Sequence, residues 1–302
     1  MARPLFRLEI KMTNRHAASA SYLSTAAVHG AAHDNSMLEL EFAELSDVGL
    51  VRDHNEDFLG HVLPSNPEQI RDRGWLFVLA DGVGGHDCGE VASRLAVETL
   101  TAGFPKTTPG DPMSGLLQKL IQRANLRVYE RGMDTGPGGR SMATTIVACA
   151  FRFDRAVVAH VGDSRCYLVR QGYATSLTRD HTIPNEQLRM GLISTREAAA
   201  SQTSNVLSRS VGSGMIVNVE TGEHQIFGGD VFLLCSDGLH NSVQPDDIAR
   251  IAREGSNLRE AAAELIALAK QRDGGDNISV QLIRVRGVER VGMYRGRHYK
   301  LR

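Results

Sequence analysis

Acidic residues recur at the ends of apolar runs along this chain. LFVLADG carries Asp81, VAHVGDSR carries Asp163, VFLLCSDG carries Asp237, and DGGDNISV places Asp276 just ahead of another apolar run. The stretch DVGLVRDHNED adds Asp47, Glu56 and Asp57. A single Asp-Gly after a strand is ordinarily a turn. Repetition at several strand ends is different, because strands lying side by side bring such carboxylates together. Carboxylates within a few ångströms of one another cannot all stay ionised without a counter-charge. Hard divalent cations supply it, and oxygen-only ligands suit Mg²⁺ or Mn²⁺. Two such ions about 3.5–4 Å apart activate a water between them and bind phosphate oxygens. Arg52, on the loop leading to Glu56 and Asp57, could aim its guanidinium fork at a phosphate. The chemistry indicated is metal-assisted hydrolysis of a phosphate ester. Zinc would need His54, His86, His160 and His181 to converge, and their spacing matches no zinc pattern.

The loop DGVGGHDCGE, residues 81–90, offers a second reading as a phosphate cradle. No Gly-Lys-Ser/Thr follows it, which excludes a Walker loop. Its glycines let the backbone turn tightly at the strand end and approach bound ions.

These residues need elements to hold them. Leu38–Leu45 alternates apolar and acidic residues as a half-buried strand does, and Trp75–Ala80 is a short apolar strand. Glu90–Phe104 and Ser114–Tyr129 have helical spacing. Ala143–Phe153, Ala156–Val161 and Cys166–Arg170 read as successive short strands, and Val231–Cys235 as another. Pro245 opens a helix with Asp246 and Asp247 in its first turn, Asn257–Gln271 forms a second, and Asn277–Val285 closes the pattern as a strand. Helices cluster in two pairs apart from the strands, which predicts an α+β fold with mainly antiparallel sheets.

A chain of 302 residues, 42% hydrophobic and 23% charged, can bury a sizeable core. Its net charge of -1 gives no field for nucleic acid or an anionic membrane, and no apolar run approaches the roughly 18 residues of a membrane span. The cysteines form no CxxC pair. Cys149, Cys166 and Cys235 lie in strand-like runs and read as reduced core thiols of a cytoplasmic protein. Cys88, in the glycine-rich loop, reads as exposed and open to oxidation. Residues 1–37 are rich in Ala, Ser and His and read as a disordered extension, with Met37 an alternative start. Residues 287–302 read as a basic, solvated tail, leaving 38–286 as the domain.

Six motifs then fall in one order: DVGLVRDHNED at 47–57, DGVGGH at 81–86, ATT at 143–145, GDSR at 162–165, SDGL at 236–239 and GDN at 275–277. In these the chain resembles the metal-dependent PPM, or protein phosphatase 2C-like, serine/threonine phosphatases in their short bacterial form, over residues 40–285. The resemblance implies a four-layer αββα sandwich, two antiparallel sheets flanked by helix pairs, with the metal site at one end. It implies Mn²⁺ or Mg²⁺, two ions and a third more weakly held. Asp81 would bridge two ions, with the Gly82 carbonyl on one and Asp237 and Asp276 on the other. Glu56 and Asp57 would lie at the second ion, directly or through water, and Asp163 at the third. Arg52 matches the phosphate-binding arginine, and Asn277 a neighbour that orients the last ligand. Segment 179–214 resembles the family's flap, a substrate-selecting lid with two short helical patches. The implied reaction is direct attack of a metal-bridging water on phosphoserine or phosphothreonine, reversing a cognate Ser/Thr kinase; a monomer is expected. Eukaryotic members carry a histidine directly after the Asp-Gly, where this chain has Val83. His86, three residues on, is the candidate for the acid or for a phosphate contact. A catalytically dead binding module should have lost ligands at Asp81, Asp237 or Asp276, and a nuclease should carry net positive charge; neither describes this chain.

Overall fold

The computed structural model of the protein describes residues 22–27, 38–83, 88–106, 111–134, 142–201, 203, 205–255, 257–288, 291–294 and 297–300, with backbone alone at 22–27, 199, 291–294 and 297–300. In chain order the strands and helices are β1 (Tyr22–Ala27), β2 (Glu39–Asp47), β3 (Asp57–Val62), α1 (Pro67–Asp72), β4 (Trp75–Val83), α2 (Cys88–Gly103) and α3 (Met113–Met133). Next come β5 (Ala143–Thr144), β6 (Ile146–Arg152), β7 (Arg155–Val161), β8 (Arg165–Arg170), β9 (Tyr173–Ser176), α4 (Ile183–Arg189) and α5 (Thr195–Ala199). The last are β10 (Glu220–Gln225), β11 (Val231–Cys235), α6 (Asp237–His240), α7 (Pro245–Glu254), α8 (Leu258–Arg272), β12 (Ile278–Gly287), β13 (Val291–Tyr294) and β14 (Arg297–Lys300).

Two antiparallel sheets face each other, one in the order β1-β2-β12-β11-β8-β9 and the other β10-β7-β6-β4-β3, with β5 paired to β4. Between them lies a core of Phe42, Trp75, Phe77, Phe151, Phe232 and their neighbours, with T-shaped ring contacts from Phe42 through Phe77 and Phe151 to Phe232. Leu117, Ile121, Ala124 and Val128 of α3, with Ala92, Ala96 and Leu100 of α2, cover the outer face of the second sheet. Ile248 and Ile251 of α7, with Ala262, Leu265 and Ile266 of α8, cover the outer face of the first. These spacings of three and four put one apolar stripe of each helix on its sheet. The result is the expected αββα sandwich.

Two departures are informative. The expected strand Ala143–Phe153 is broken at Thr145, between β5 and β6. There Thr145 leaves the ladder to bond the peptide of Asp81, its N–H donating to the Asp81 carbonyl at 2.8 Å. Inside the N-terminal extension, β1 adds an edge strand to β2 in antiparallel register, Tyr22 opposite Ser46. Residues 1–21 and 28–37, Met37 among them, lie outside the described residues. In the tail, β13 and β14 pair as a hairpin.

Candidate active site

Antiparallel pairing decides where the acids meet. The ends of β2, β4, β7 and β11 and the starts of β3, β8 and β12 share one end of the sandwich, as the registers Asp57 opposite Asp81 and Ile278 opposite Asp47 show. Asp57 opens β3, Asp81 lies near the end of β4, Asp163 sits in the turn between β7 and β8, Asp237 opens α6 after β11, and Asp276 precedes β12. Asp81 feels the charges of Asp57, Asp237, Asp163 and Asp276. All the aspartates expected at the metal site are therefore brought together, with Glu56 and Arg52 at the rim. Asp47 stands apart. It is buried and bonded by Lys270 Nζ at 2.9 and 3.1 Å, so it anchors α8 to β2.

Asp81 is set by its backbone. Its N–H donates to Thr145 Oγ1 at 3.0 Å, and its carbonyl accepts from Thr144 Oγ1 at 2.7 Å. Thr145 Oγ1 also bonds Ser164 Oγ at 2.7 Å, which ties Asp81 to the loop of Asp163. Gly82 is required by close approach. A Cβ there would stand 2.4 Å from the Gly89 carbonyl at the start of α2 and 2.8 Å from the Glu56 carbonyl. The Gly82 N–H donates to that Glu56 carbonyl at 3.1 Å, and Ser93 Oγ donates to it at 2.6 Å.

Asp57 lies beneath the cluster. Ser236 Oγ donates to its Oδ2 at 2.8 Å, while its buried Oδ1 has no hydrogen-bond partner among the described residues. Burial and then neighbouring carboxylates push the Asp57, Asp81 and Asp237 carboxyls well above their ordinary range, and burial with Asp237 pushes Asp163 up to about 7. Arg52, half exposed, donates from Nη2 to Asp276 Oδ2 at 2.8 Å. A nest of carboxyls this costly to ionise, holding an orphaned buried oxygen, fits a divalent-cation site. Asp81 stands opposite Asp57 across the β3–β4 pair and also feels the charges of Asp237 and Asp276.

Asn277 holds Asp276 through its backbone, its N–H donating to Asp276 Oδ1 at 2.8 Å, and its side chain also staples the loop before β3. Oδ1 accepts from Glu56 N–H at 2.8 Å, and Nδ2 donates to the Val48 and His54 carbonyls, both at 2.9 Å. We expect Asn277→Ala to cost about 2 kcal/mol of stability in urea unfolding and about 10- to 100-fold in phosphopeptide hydrolysis, because Arg52 and Glu56 lose their support. Full activity in that variant would show that the staple does not matter.

Cys88 corrects the sequence reading. It is 8% exposed, because the first turn of α2 packs into the core under β4. Cys149, Cys166 and Cys235 are buried free thiols, as expected. His86 lies outside the described residues.

Among the histidines weighed for zinc, His160 and His181 do meet. Their rings stack at 4.7 Å, and with Glu220 their ligand atoms lie within 4.8 Å of one another. Arginines already take the cationic places. Arg179 donates to Glu220 at 2.8 Å, and Arg209 lies 3.4 Å from His181 Nε2 while pairing with Glu186 of α4. His181 Nδ1 accepts from Gly162 N–H at 3.2 Å, and its own N–H donates to the Gly162 carbonyl at 3.0 Å. This node therefore pins segment 179–214 to the loop of Asp163. The roles of Thr145 and His181 go beyond the sequence reading, where Thr145 stood only as part of the ATT motif and His181 only within segment 179–214 and among the zinc candidates.

The titrations predict how the metal-free protein responds to pH. Unfolded aspartates ionise near pH 4, whereas folded Asp163 holds its proton to about 7. The folded state binds more protons across that window, so stability falls as pH rises through it. Buried His181 and His240, both pushed down to about 4 chiefly by burial, oppose this below about pH 6.5, where only the unfolded chain charges them. In EDTA the melting temperature should therefore fall between about pH 6 and pH 8, where the histidines no longer offset the carboxyls, and Mn²⁺ should abolish the fall. A metal-free protein more stable at pH 8 than at pH 6 would show that these carboxyls ionise freely.

The αββα sandwich is shared with solved serine/threonine phosphatases. The Streptococcus agalactiae serine/threonine phosphatase superposes with a TM-score of 0.74 at 34% identity, covering 82% of this chain and 99% of that one. The catalytic domain of the phosphatase PstP, solved with two manganese ions, gives 0.69 at 31% identity, covering 83% and 100%. Serine/threonine phosphatase stp of Listeria innocua is 36% identical over 258 residues, 83% of this chain and 96% of that protein. Residues 53–271 match the protein phosphatase 2C family model. The chain belongs to the protein phosphatase 2C family.

Proposed function

We propose that the protein is a metal-dependent protein serine/threonine phosphatase. The observation that carries this reading is the nest of buried, mutually repelling carboxyls around Asp81, with Arg52 at its rim. In our reading Asp81 is shared by two ions, Mn²⁺ or Mg²⁺. The Gly82 carbonyl, Glu56 and Asp57 would serve one, Asp237 and Asp276 the other, and Asp163 a weaker third. When bound, the ions supply a water acidic enough to attack phosphorus at neutral pH and offset the charge on the phosphoryl oxygens. The protein's own groups do the rest. Arg52 swings from Asp276 to fork two phosphoryl oxygens. Thr144 and Thr145 hold the Asp81 peptide, and Asn277 holds the loop that carries Arg52. The pinned segment 179–214 borders the cleft and selects among clients.

Clients are Ser/Thr-phosphorylated proteins supplied by a cognate Ser/Thr kinase, met in the cytoplasm by a monomeric enzyme. Among the described residues no helix is long and apolar enough to cross a membrane. The test is phosphate release from matched phosphothreonine and phosphotyrosine peptides, with Mn²⁺ or with EDTA. Mn²⁺-dependent release from phosphothreonine supports the reading. Release that persists in EDTA, or that is confined to phosphotyrosine, overturns it.

A further inference from the structure

Leu50 and Val51 stand immediately before Arg52, 64% and 72% exposed. Large apolar side chains on a mobile loop would need no explanation, since isolated exposed hydrophobics are common. The backbone that leads into them is held in place. Leu50 N–H donates to the Gly274 carbonyl at 2.8 Å, Gly49 N–H donates to Asp47 Oδ1 at 2.9 Å, and Asn277 Nδ2 holds the Val48 carbonyl at 2.9 Å. Gly49 sits at φ +83 with no room for a Cβ, since one would fall 2.2 Å from the Asp276 carbonyl. One edge of Leu50 rests on Gly274, where an added Cβ would meet Leu50 Cδ1 at 2.9 Å. The backbone is thus fastened to the segment that carries Asp276, while the outer faces of both side chains remain in water. Pre-ordering of this kind lowers the entropy cost of binding an apolar group.

We propose that Leu50 and Val51 form an apolar rest for a hydrophobic side chain of the client protein, one or two residues from the phosphoresidue. The patch is continuous with the catalytic centre through Arg52, which fixes its occupant. A phosphate forked by Arg52 brings the client backbone past the two preceding residues. Consecutive Cα atoms are about 3.8 Å apart and an extended chain rises about 3.3 Å per residue. A client side chain one or two residues from the phosphothreonine is therefore close enough in the chain to reach Leu50 and Val51. This rests on the phosphatase reading and adds a client class to it: phosphosites with an aliphatic or aromatic neighbour.

The experiment compares Mn²⁺-loaded full-length protein on phosphothreonine peptides carrying Leu or Phe, or else Asp or Ser, at each position within two residues of the phosphate. p-Nitrophenyl phosphate, which has no flank, reports the chemistry separately. The wild type should favour apolar flanks about tenfold in kcat/KM, mainly through KM. Leu50→Ser/Val51→Ser should bring that ratio close to one, and Leu50→Arg should turn the preference toward acidic flanks. Equal rates on all flanks, or a preference that survives the double variant, would overturn the proposal while leaving the phosphatase reading intact. Failure on p-nitrophenyl phosphate and on every peptide would overturn the phosphatase reading itself. A double variant that changes oligomeric state on size exclusion while keeping the preference would mark the patch as a contact between copies and also overturn the proposal.

Discussion

Asp81→Asn should abolish phosphopeptide hydrolysis while making the metal-free protein more stable. The two effects have one cause. Asp81 sits among Asp57, Asp237, Asp163 and Asp276, and burial together with those charges raises its pKa well above the ordinary range. In the metal-free state its ionised form is a liability, so an isosteric amide relieves the fold. A relief of about 1 kcal/mol would raise the melting temperature by roughly 2–4 °C in a domain of this size. With metal the sign should reverse, because an amide is a poorer ligand for a divalent cation than a carboxylate. Charge stabilisation by bound ions is worth several kcal/mol, which puts the loss of rate at about 10³-fold or more. The Mn²⁺-induced rise in melting temperature should shrink with it. A variant that loses activity and metal-free stability together would make Asp81 a structural residue.

Arg52→Ala should have the next largest effect, with a different signature. The guanidinium is half exposed and bonds Asp276 at 2.8 Å, so its ion pair contributes little to stability. Its loss should leave the melting temperature within about 1 °C of wild type. The kcat/KM for phosphothreonine peptides should fall about 10²- to 10³-fold, the usual cost of removing one preorganised donor to a developing charge. Inorganic phosphate should inhibit the variant less. Arg52→Lys should recover only part of the loss, since an ammonium keeps the charge without the planar fork. If Arg52→Ala hydrolyses the peptide at the wild-type rate, phosphate is held elsewhere.

The strands, the helix pairs and the acids at strand ends were legible because periodicity and residue type report burial and charge directly. What was not legible depends on tertiary partners. β3 and β10 are edge strands whose residues, apart from buried Asp57, are intermediate or exposed, DFLGHV and ETGEHQ, so neither shows a clean apolar alternation. The break at Thr145 exists to bond Asp81, which lies 64 residues away in the chain. Cys88 read as exposed because its neighbours are glycines and acids, yet the first turn of α2 folds inward. Asp47 looked like one more acid of the set, and only Lys270, 223 residues distant, shows that it serves the packing of α8.

The most direct measurement is the crystal structure of the protein grown with Mn²⁺, read by anomalous scattering. Two manganese peaks about 3.5–4 Å apart should flank the Asp81 carboxylate. The Gly82 carbonyl should lie on one ion, Asp237 and Asp276 on the other, with Arg52 released from Asp276. Density at Asp81 without manganese, or manganese found only at His160, His181 and Glu220, would contradict the account.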